Sequence, residues 1–432
     1  MIQLALLCES LLDLGSDNSV TKKYEGQSEV SIGTLGHVDH GKTTLVEYLT
    51  GEWTDRHSDE VRRGISIRLG YAATTLFKCT KCPEPDCYTT SYLARENKCP
   101  KCGGSLEVLR EISFVDSPGH ESLMATCLSG ASIMDGAILV IAANEPCPMP
   151  QTSEHLRALE IVGVKNLIIV QNKIELVSKE EALKHYKQIQ DFVKGTTAEN
   201  APIIPVSAVF GANTDLLIQR IEEVIPTPHR DEDAPPKMFV ARSFDINKPG
   251  TPPNQLKGGV VGGSIVRGVL KVGDEIEIAP GSKGDKGFEP IRARIASLLS
   301  GSNNPLEEAR PGGLIGVGTG LDPASTRADR LVGNVVGKVN KMPNIIDKLM
   351  IKPKLMERVV GMETKKIVEN LRLNEPLMMV IGTAATVGII TRLHGDEIEL
   401  SLKRPVAAEK GQRIALGRQV ENKWRLVGYA EI

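Results

Sequence analysis

Residues 36–44 read Gly36-His37-Val38-Asp39-His40-Gly41-Lys42-Thr43-Thr44, which fits the phosphate-loop pattern G-x-x-x-x-G-K-[ST]. In such a loop, backbone N–H groups surround the α- and β-phosphates, the lysine reaches the β- and γ-oxygens, and the next hydroxyl binds Mg²⁺. Residues 30–35 before the loop read as a buried strand, and residues 44–49 after it read as a helix whose N-terminus favours an anion. The sequence therefore predicts an α/β nucleotide-binding domain here.

A second motif, Asp116-Ser117-Pro118-Gly119-His120, follows the apolar run 112–115. The Asp116 carboxylate can hold Mg²⁺ through water, and the Gly119 N–H can meet a γ-phosphate. The motif thus predicts a sensor of the γ-phosphate and assigns Mg²⁺ to Thr43 and Asp116.

A third motif, Asn172-Lys173-Ile174-Glu175, follows the apolar run 167–170 and suits a guanine ring. Asn172 is expected to read the Hoogsteen edge, Lys173 to lie over the base, and Glu175 to accept from N1–H and the 2-amino group. Asp is usual at the last position, so Glu175 is a departure. A fourth, weaker motif at residues 205–208 would place Ser207 and the Ala208 N–H near the base oxygen.

The four motifs lie at strand ends in the order expected of a GTP or GDP switch. Strands alternating with helical stretches predict a mostly parallel sheet with ligand loops at its carboxyl edge. The predicted nucleotide-binding residues are Asp39, His40, Gly41, Lys42, Thr43, Thr44, Asn172, Lys173, Glu175, Ser207 and Ala208.

Four cysteines form two pairs, Cys79-x-x-Cys82 and Cys99-x-x-Cys102, separated by sixteen residues. This spacing is typical of a zinc ribbon, in which four thiolates close a structural Zn²⁺ site. The insert 74–104 has too few apolar residues to fold without such a metal site. Cys87 is expected to be a spare thiol, and the alternatives are four reduced cysteines or a disulfide pair.

The length of 432 residues favours two or three domains. A proline-rich linker lies near residues 225–236, and a second break lies near residues 341–344. The composition changes after the linker, where short β-branched runs separated by Gly and Pro predict strands and turns. We expect an N-terminal extension (1–28), a GTP-binding domain (29–234) and two antiparallel β-barrel domains (235–342 and 343–432).

The net charge and the hydropathy of the chain exclude few classes of function. The formal net charge is −2, although residues 341–432 hold sixteen Lys and Arg against eleven Asp and Glu. That balance is compatible with nucleic-acid phosphates, although charge alone favours an ordinary solvated surface. The apolar N-terminus lacks a basic n-region and is too short to span a bilayer, so it is expected to be an amphipathic or disordered extension or a start-site artefact. We expect no membrane partner and a cytoplasmic protein.

The phosphate loop, residues 63–67 and the Asp-x-Pro-Gly-His motif resemble translational GTPases of the elongation-factor Tu group. Within that group, the chain from about Glu29 to its end is most similar to the γ-subunit family of archaeal and eukaryotic translation initiation factor 2. Besides the cysteine insert, the segments that carry this resemblance are residues 63–72, 142–146, 171–173, 242–250 and 316–323.

The resemblance implies that Ser66 replaces a switch threonine that meets Mg²⁺ and the γ-phosphate. It also implies that His120 is the catalytic residue that positions the attacking water, while Val38 and Ile65 form a hydrophobic gate that restrains it. Since the phosphate loop contains no Arg, we expect slow hydrolysis of GTP that a separate activating protein accelerates.

The resemblance further implies a carrier of initiator methionyl-tRNA to the small (40S) ribosomal subunit, acting with α and β subunits and with GTPase-activating and nucleotide-exchange factors. Release of the tRNA would follow GTP hydrolysis. Two alternatives remain: another translational GTPase, such as the selenocysteine-specific elongation factor, or the GTPase subunit of sulfate adenylyltransferase. The tRNA preference would decide the first, and GTP turnover coupled to adenylyl sulfate formation the second.

Overall fold

The computed structural model describes residues 26–54, 68–94, 96–248, 250–285, 287–361 and 366–432. Contacts divide the chain into two compact units. One comprises Glu29–Pro228 with Ile346–Ile432, and the other comprises His229–Ile345 with the described residues 26–28. The expectations for residues 1–25, and those for Ile65 and Ser66, lie outside the described residues.

The nucleotide-binding domain, which lies within Glu29–Pro228, contains one seven-stranded sheet in the order β3-β2-β4-β1-β5-β6-β7. Its strands are β1 Val30–Leu35, β2 Gly70–Cys79, β3 Tyr88–Thr90, β4 Leu106–Asp116, β5 Gly136–Ala142, β6 Asn166–Asn172 and β7 Ile203–Pro205. Its α-helices are α1 Lys42–Thr50, α2 Met124–Ala131, α3 Pro150–Val162, α4 Lys179–Val193 and α5 Thr214–Val224. Short 3₁₀ turns span Glu121–Leu123 and Ile174–Leu176.

The direction of the strands sets the position of the site. Strand β1 pairs in parallel with β4 and β5, and β5-β6-β7 continue in parallel. Every residue of β1 and β5 is buried, as expected of parallel strands covered on both faces. The carboxyl ends of β1, β4 and β6 therefore meet at one edge, where the phosphate loop, Asp116 and Asn172 follow.

The cysteine insert extends the antiparallel part of this sheet. Strand β2 pairs with β4 from Gly70↔Asp116 to Cys79↔Leu106, and β3 pairs with β2. Lys101 of the insert pairs with Asp215 at the start of α5 at 2.5 Å, and Gln219 of α5 donates to Glu84 at 3.1 Å. The insert thus packs on the nucleotide-binding domain through polar contacts.

The second unit is an antiparallel barrel. Its main sheet runs β11-β16-β8-β9-β15-β12-β13, and an additional pairing of β11 with β12 closes the ring. Its strands are β8 Lys237–Phe244, β9 Val260–Arg267, β10 Leu270–Lys271, β11 Glu275–Gly284, β12 Gly287–Ser300, β13 Pro305–Leu306, β14 Glu308–Ala309, β15 Leu314–Thr319 and β16 Val335–Lys338. Helix α6 Pro323–Thr326 and the 3₁₀ turns Pro253–Gln255 and Arg327–Asp329 lie in the connections between its strands.

The C-terminal domain contains the third seven-stranded sheet, which is antiparallel and has the order β17-β21-β20-β19-β22-β23-β18. Its strands are β17 Asn344–Ile351, β18 Lys354–Leu355, β19 Pro376–Ile381, β20 Ala384–His394, β21 Glu397–Ala408, β22 Arg413–Val420 and β23 Lys423–Glu431. The expected order of an α/β domain followed by two antiparallel β domains is confirmed.

The C-terminal domain packs on α2 and α3 of the nucleotide-binding domain. Arg425 of β23 pairs with Glu154 of α3 at 2.6 Å, and the side chains are only 8% and 1% exposed. Ser129 of α2 donates to the Thr383 carbonyl at 2.9 Å. A buried ion pair therefore links the two domains. Among the described residues, we find no helix long and apolar enough to cross a membrane.

Candidate nucleotide site

The phosphate loop turns through backbone conformations that favour glycine. Gly36 has φ 143° and Gly41 has φ 87°, while Asp39 between them has φ 60°. A Cβ atom at Gly36 would lie 2.2 Å from the Val140 carbonyl oxygen. The loop therefore depends on glycine both for its turn and for its close approach to β5.

Helix α1 begins directly after this loop, so its free N–H groups face the space that the loop encloses. Lys42 lies in the first turn and donates from Nζ to the His37 carbonyl at 2.7 Å. Thr44, half-buried, follows in the same turn. This arrangement of donors fits a chain of phosphates.

Gly119 lies against the phosphate loop. A Cβ atom at this position would be 2.7 Å from Lys42 Nζ and 2.8 Å from the Val38 nitrogen. The structure thus brings two sequence-predicted segments together, the phosphate loop and the Asp-x-Pro-Gly-His motif. It leaves no room for a side chain at residue 119.

Asp116 is buried at the end of β4 and accepts hydrogen bonds from three threonine hydroxyls. Thr34 donates to Oδ1 at 2.7 Å, Thr43 to Oδ2 at 2.6 Å and Thr54 to Oδ2 at 2.7 Å. A threonine hydroxyl can donate to a carboxylate while its oxygen lone pairs remain available to a cation. The Thr43 and Asp116 oxygens therefore fit the oxygen ligands that Mg²⁺ prefers.

His120 caps the 3₁₀ turn that follows it. Its Nδ1 lies 2.8 Å from Ser122 Oγ and accepts from the Ser122 N–H at 3.3 Å. This leaves Nε2 as the ring nitrogen that can meet a water. Val38, half-buried, lies in the phosphate loop beside Gly119.

Asn172 joins the phosphate loop to the 205–208 loop that the sequence assigns to the base. Its Nδ2 donates to the His40 carbonyl at 2.9 Å, and its Oδ1 accepts from the Ala208 N–H at 3.0 Å. Both amide heavy atoms thus hold the protein together, and Nδ2 keeps a second hydrogen for a purine nitrogen. Sequence reasoning gave this residue only a base-reading role.

The other residues that the sequence assigns to the base lie in the same two segments, 172–175 and 205–208. Lys173 has φ 61°, a left-handed conformation that is uncommon outside glycine and asparagine. Glu175 is exposed one turn later. Ser207 is buried and accepts from the Phe210 N–H at 3.3 Å. The Lys173 and Glu175 side chains are therefore the ones that can rearrange around a base.

Two buried histidines support the phosphate loop from behind. His40 Nδ1 lies 3.1 Å from the Val140 carbonyl and its Nε2 lies 3.3 Å from Glu145, so its side chain points into the protein. His155 of α3 accepts the Gly36 N–H on Nδ1 at 2.9 Å. The sequence did not indicate His155, since no local pattern marks a residue that contacts the loop from another helix.

Burial lowers the pKa of His155 to about 3, which predicts an acid-sensitive fold. Between pH 3 and about 6.5, the unfolded chain binds a proton that the folded chain does not, so stability falls as the pH is lowered through this range. We expect His155→Gln to remove a slope that approaches about 1.4 kcal/mol per pH unit near pH 5, where the unfolded imidazole is almost fully protonated, and that becomes smaller toward pH 7. Urea unfolding between pH 5 and 7 measures this slope, with the exposed His394→Gln as control. An unchanged slope would contradict the prediction.

The four predicted cysteine ligands lie together. Their Sγ atoms are all within 4.8 Å of one another, with Cys79 and Cys102 3.5 Å apart and Cys82 and Cys99 3.7 Å apart. Zn–S bonds of about 2.3 Å in a tetrahedron require sulfurs about 3.8 Å apart, so the donor set fits Zn²⁺. Cys87 is buried outside this cluster.

Backbone amides donate to two of the four sulfurs. The Lys81 N–H donates to Cys79 Sγ at 3.4 Å and is the largest of several hydrogen bonds that lower the pKa of that thiol. The Gly104 N–H donates to Cys102 Sγ at 3.3 Å. Such N–H groups stabilise the deprotonated form, which is the form that binds metals.

Three families match successive parts of the chain. Residues 27–227 match the elongation factor Tu GTP binding domain, residues 258–337 match elongation factor Tu domain 2, and residues 347–432 match initiation factor eIF2 gamma, C terminal. The chain is 57% identical over 415 residues to translation initiation factor 2 subunit gamma of Pyrococcus furiosus, covering 95% of this chain and 99% of the relative. It is 56% identical over 401 residues to the same subunit of Archaeoglobus fulgidus, covering 93% of each chain.

Solved structures show a similar fold. A bacterial selenocysteine-specific elongation factor EF-Sec superposes with a TM-score of 0.70 at 24% identity, over 94% of this chain and 58% of that chain. Elongation factor SelB from Methanococcus maripaludis in complex with a GTP analogue superposes with a TM-score of 0.67 at 22% identity, over 94% of this chain and 79% of the other. At this level of identity, the likeness concerns the fold alone.

Proposed function

This chain belongs to the family of γ subunits of translation initiation factor 2, and on that premise we propose that it carries initiator methionyl-tRNA to the small ribosomal subunit in a GTP-dependent manner. The chain is a translational GTPase, as its GTP-binding domain and its relatives indicate. One observation supports the switch most directly: the phosphate loop, Asp116 and Asn172 converge at one sheet edge.

In this proposal, different residues of the site bind different parts of GTP or GDP. Lys42 and the backbone of Asp39, His40, Gly41 and Thr44 hold the phosphates, and Thr43 and Asp116 hold Mg²⁺. A cation held by these two residues would neutralise charge that develops on the phosphates. Lys173, Glu175, Asn172, Ser207 and Ala208 hold the base, while Ser66 and Gly119 report the γ-phosphate.

His120 is the residue that we assign to the attacking water, with Val38 and Ile65 as the gate beside it. The Ser122 hydroxyl fixes the ring through Nδ1, so Nε2 is the atom that would orient the water. Catalysis of phosphoryl transfer depends on such positioning and on charge neutralisation.

We expect the isolated chain to hydrolyse GTP slowly, below about 0.01 per second, because its phosphate loop contains no arginine that could act as an internal arginine finger. Single-turnover hydrolysis of radiolabelled GTP by the purified chain measures this rate. The rate should rise when the small ribosomal subunit and an activating factor are added. Fast turnover of the chain alone would contradict the expectation.

We also propose that the cysteine cluster holds one structural Zn²⁺. Metal analysis of protein purified without chelator is expected to find about one zinc per chain. Cys102→Ser should lose the metal and speed amide hydrogen exchange in residues 80–105, because the insert has little apolar core. Cys87→Ser is the matched control and should keep the zinc. Less than half an equivalent in the unaltered chain would contradict the assignment.

The carrier role implies several partners, all of them part of this proposal. They are the α and β subunits of the factor, the small ribosomal subunit, and GTPase-activating and nucleotide-exchange factors. The setting would be the cytoplasm, where translation takes place. The names of the relatives, which are subunits of an initiation factor, support a subunit of a larger factor.

A filter-binding comparison tests the proposal. Methionyl initiator tRNA and methionyl elongator tRNA are each measured with a GTP analogue and with GDP, after addition of the α subunit. We expect tight binding only for initiator tRNA with the GTP analogue. Equal binding in all four conditions would overturn the carrier role. A preference for another aminoacyl-tRNA would favour a different translational GTPase.

A further inference from the structure

Thr54 contacts the buried carboxylate of the nucleotide site, although no motif includes it. It lies four residues beyond the end of α1 and is 9% exposed. Its hydroxyl donates to Asp116 Oδ2 at 2.7 Å, almost the same distance as the hydrogen bond from Thr43. A side chain outside the phosphate loop thus shares the oxygen that Thr43 uses.

The three hydroxyls fix both the position and the rotation of the Asp116 carboxylate. Thr34 holds Oδ1 from the neighbouring strand β1, while Thr43 and Thr54 hold Oδ2 from the two ends of α1. A carboxylate has about four acceptor positions, so these three bonds leave one, on Oδ1. Removing Thr54 would free Oδ2 on one side and let the carboxylate turn.

The fold keeps space for this contact. Gly70 lies opposite Asp116 in the β2–β4 pairing. A Cβ atom at Gly70 would lie 2.5 Å from Thr54 Cβ, 2.9 Å from its hydroxyl oxygen and 3.3 Å from Asp116 Cβ. Gly70 is not among the glycines with positive φ, so the space, not the backbone conformation, requires glycine here.

We propose that Thr54 is a positioning residue for Mg²⁺ binding, because its hydroxyl holds the Asp116 carboxylate in the orientation that meets the cation. This inference rests on the proposed assignment of Mg²⁺ to Thr43 and Asp116. Groups that orient a metal's carboxylate typically change metal affinity by about 10- to 100-fold when they are removed. Thr54 therefore sets how much Mg²⁺ the protein needs to retain its nucleotide.

The test measures release of a fluorescent GDP analogue from the full chain over a series of buffered free Mg²⁺ concentrations. Thr54→Val removes the hydroxyl at nearly constant volume and is expected to raise the half-saturating Mg²⁺ concentration about tenfold. Thr54→Ser keeps the hydroxyl and should stay within about twofold of the unaltered chain. At saturating Mg²⁺ the release rate of all three proteins should agree, a result that general destabilisation would not produce.

Thr50→Val is the matched control. Thr50 is equally buried, but its hydroxyl donates to the Val46 carbonyl within its own helix. Its Mg²⁺ requirement should not change. Gly70→Ala is the second variant, in case Thr54→Val does not fold: the new methyl group displaces Thr54 from Asp116 and should raise the Mg²⁺ requirement in the same direction.

The Asp116→Asn variant distinguishes a failure of the proposed role of Thr54 from a failure of the proposed Mg²⁺ site. If Asp116→Asn raises the Mg²⁺ requirement and Thr54→Val and Gly70→Ala do not, the role of Thr54 is wrong and the magnesium site stands. If none of the three variants changes the requirement, the magnesium site itself is wrong and the role of Thr54 falls with it. A tenfold rise of the half-saturating Mg²⁺ concentration in Thr54→Val, together with a value close to that of the unaltered chain in Thr54→Ser, supports the inference.

Discussion

Asn172→Ala is expected to weaken binding of GDP at least about 100-fold. The side chain bridges the His40 carbonyl and the Ala208 N–H, and it is 2% exposed. Its removal leaves two buried backbone groups without their partner, at about 1–3 kcal/mol each, and also removes a contact to the base. The phosphate loop and the base loop then lose their common attachment. Equilibrium titration with a fluorescent GDP analogue measures the affinity.

Asn166→Ala is the matched control for this result. Asn166 begins the strand that Asn172 ends, and its amide makes a hydrogen bond to the Asp135 carbonyl at 3.3 Å. It lies at the opposite edge of the sheet from the nucleotide site, so we expect its replacement to leave GDP affinity within about twofold. Similar losses in both variants would show that the effect of Asn172 is one of general stability.

Glu154→Ala is expected to destabilise the unit formed by the nucleotide-binding and C-terminal domains by about 3–5 kcal/mol, because it removes the carboxylate from a buried ion pair with Arg425. The two groups are 2.6 Å apart, and their side chains are almost fully buried. Urea unfolding followed by circular dichroism measures the loss. Glu154→Leu combined with Arg425→Met should recover most of it, because apolar groups can replace a buried ion pair.

Glu431→Ala provides the comparison for an exposed pair. Glu431 lies 3.8 Å from Arg413, and the side chains are 55% and 45% exposed. Water screens such a pair, so its removal should change stability by less than about 0.5 kcal/mol. If Glu154→Ala cost as little as Glu431→Ala, the contact between α3 and β23 would carry no weight in holding the two domains together.

The sequence predicts those parts of the molecule whose chemistry is local. The phosphate loop, Asp116 and the four cysteines each belong to a short motif at fixed spacing, and the alternation of strands and helices indicates the parallel sheet. The division into an α/β domain and two β domains follows from the same patterns. These features need only a few neighbouring residues to be recognised.

Contacts between distant elements could not be predicted in this way. Gly36 and His155 are 119 residues apart, and the Thr54 to Asp116 bond spans 62 residues. Such pairs depend on strand register and helix packing, which no local pattern encodes. The bridging role of Asn172 is similar: its motif indicated the base, whereas its bonds to His40 and Ala208 required the folded sheet. Ser66 and Ile65 stay predictions.

The three hydroxyls on Asp116 also bear on which cation the site accepts. Ca²⁺ takes six to eight oxygens and often both oxygens of one carboxylate, whereas Mg²⁺ is smaller and keeps several of its waters. With Oδ2 occupied by Thr43 and Thr54, and Oδ1 partly occupied by Thr34, Asp116 can offer a cation only one position. This arrangement disfavours bidentate coordination of a cation by Asp116. We therefore expect the threonines that orient the carboxylate to favour Mg²⁺ over a cation that takes both carboxylate oxygens.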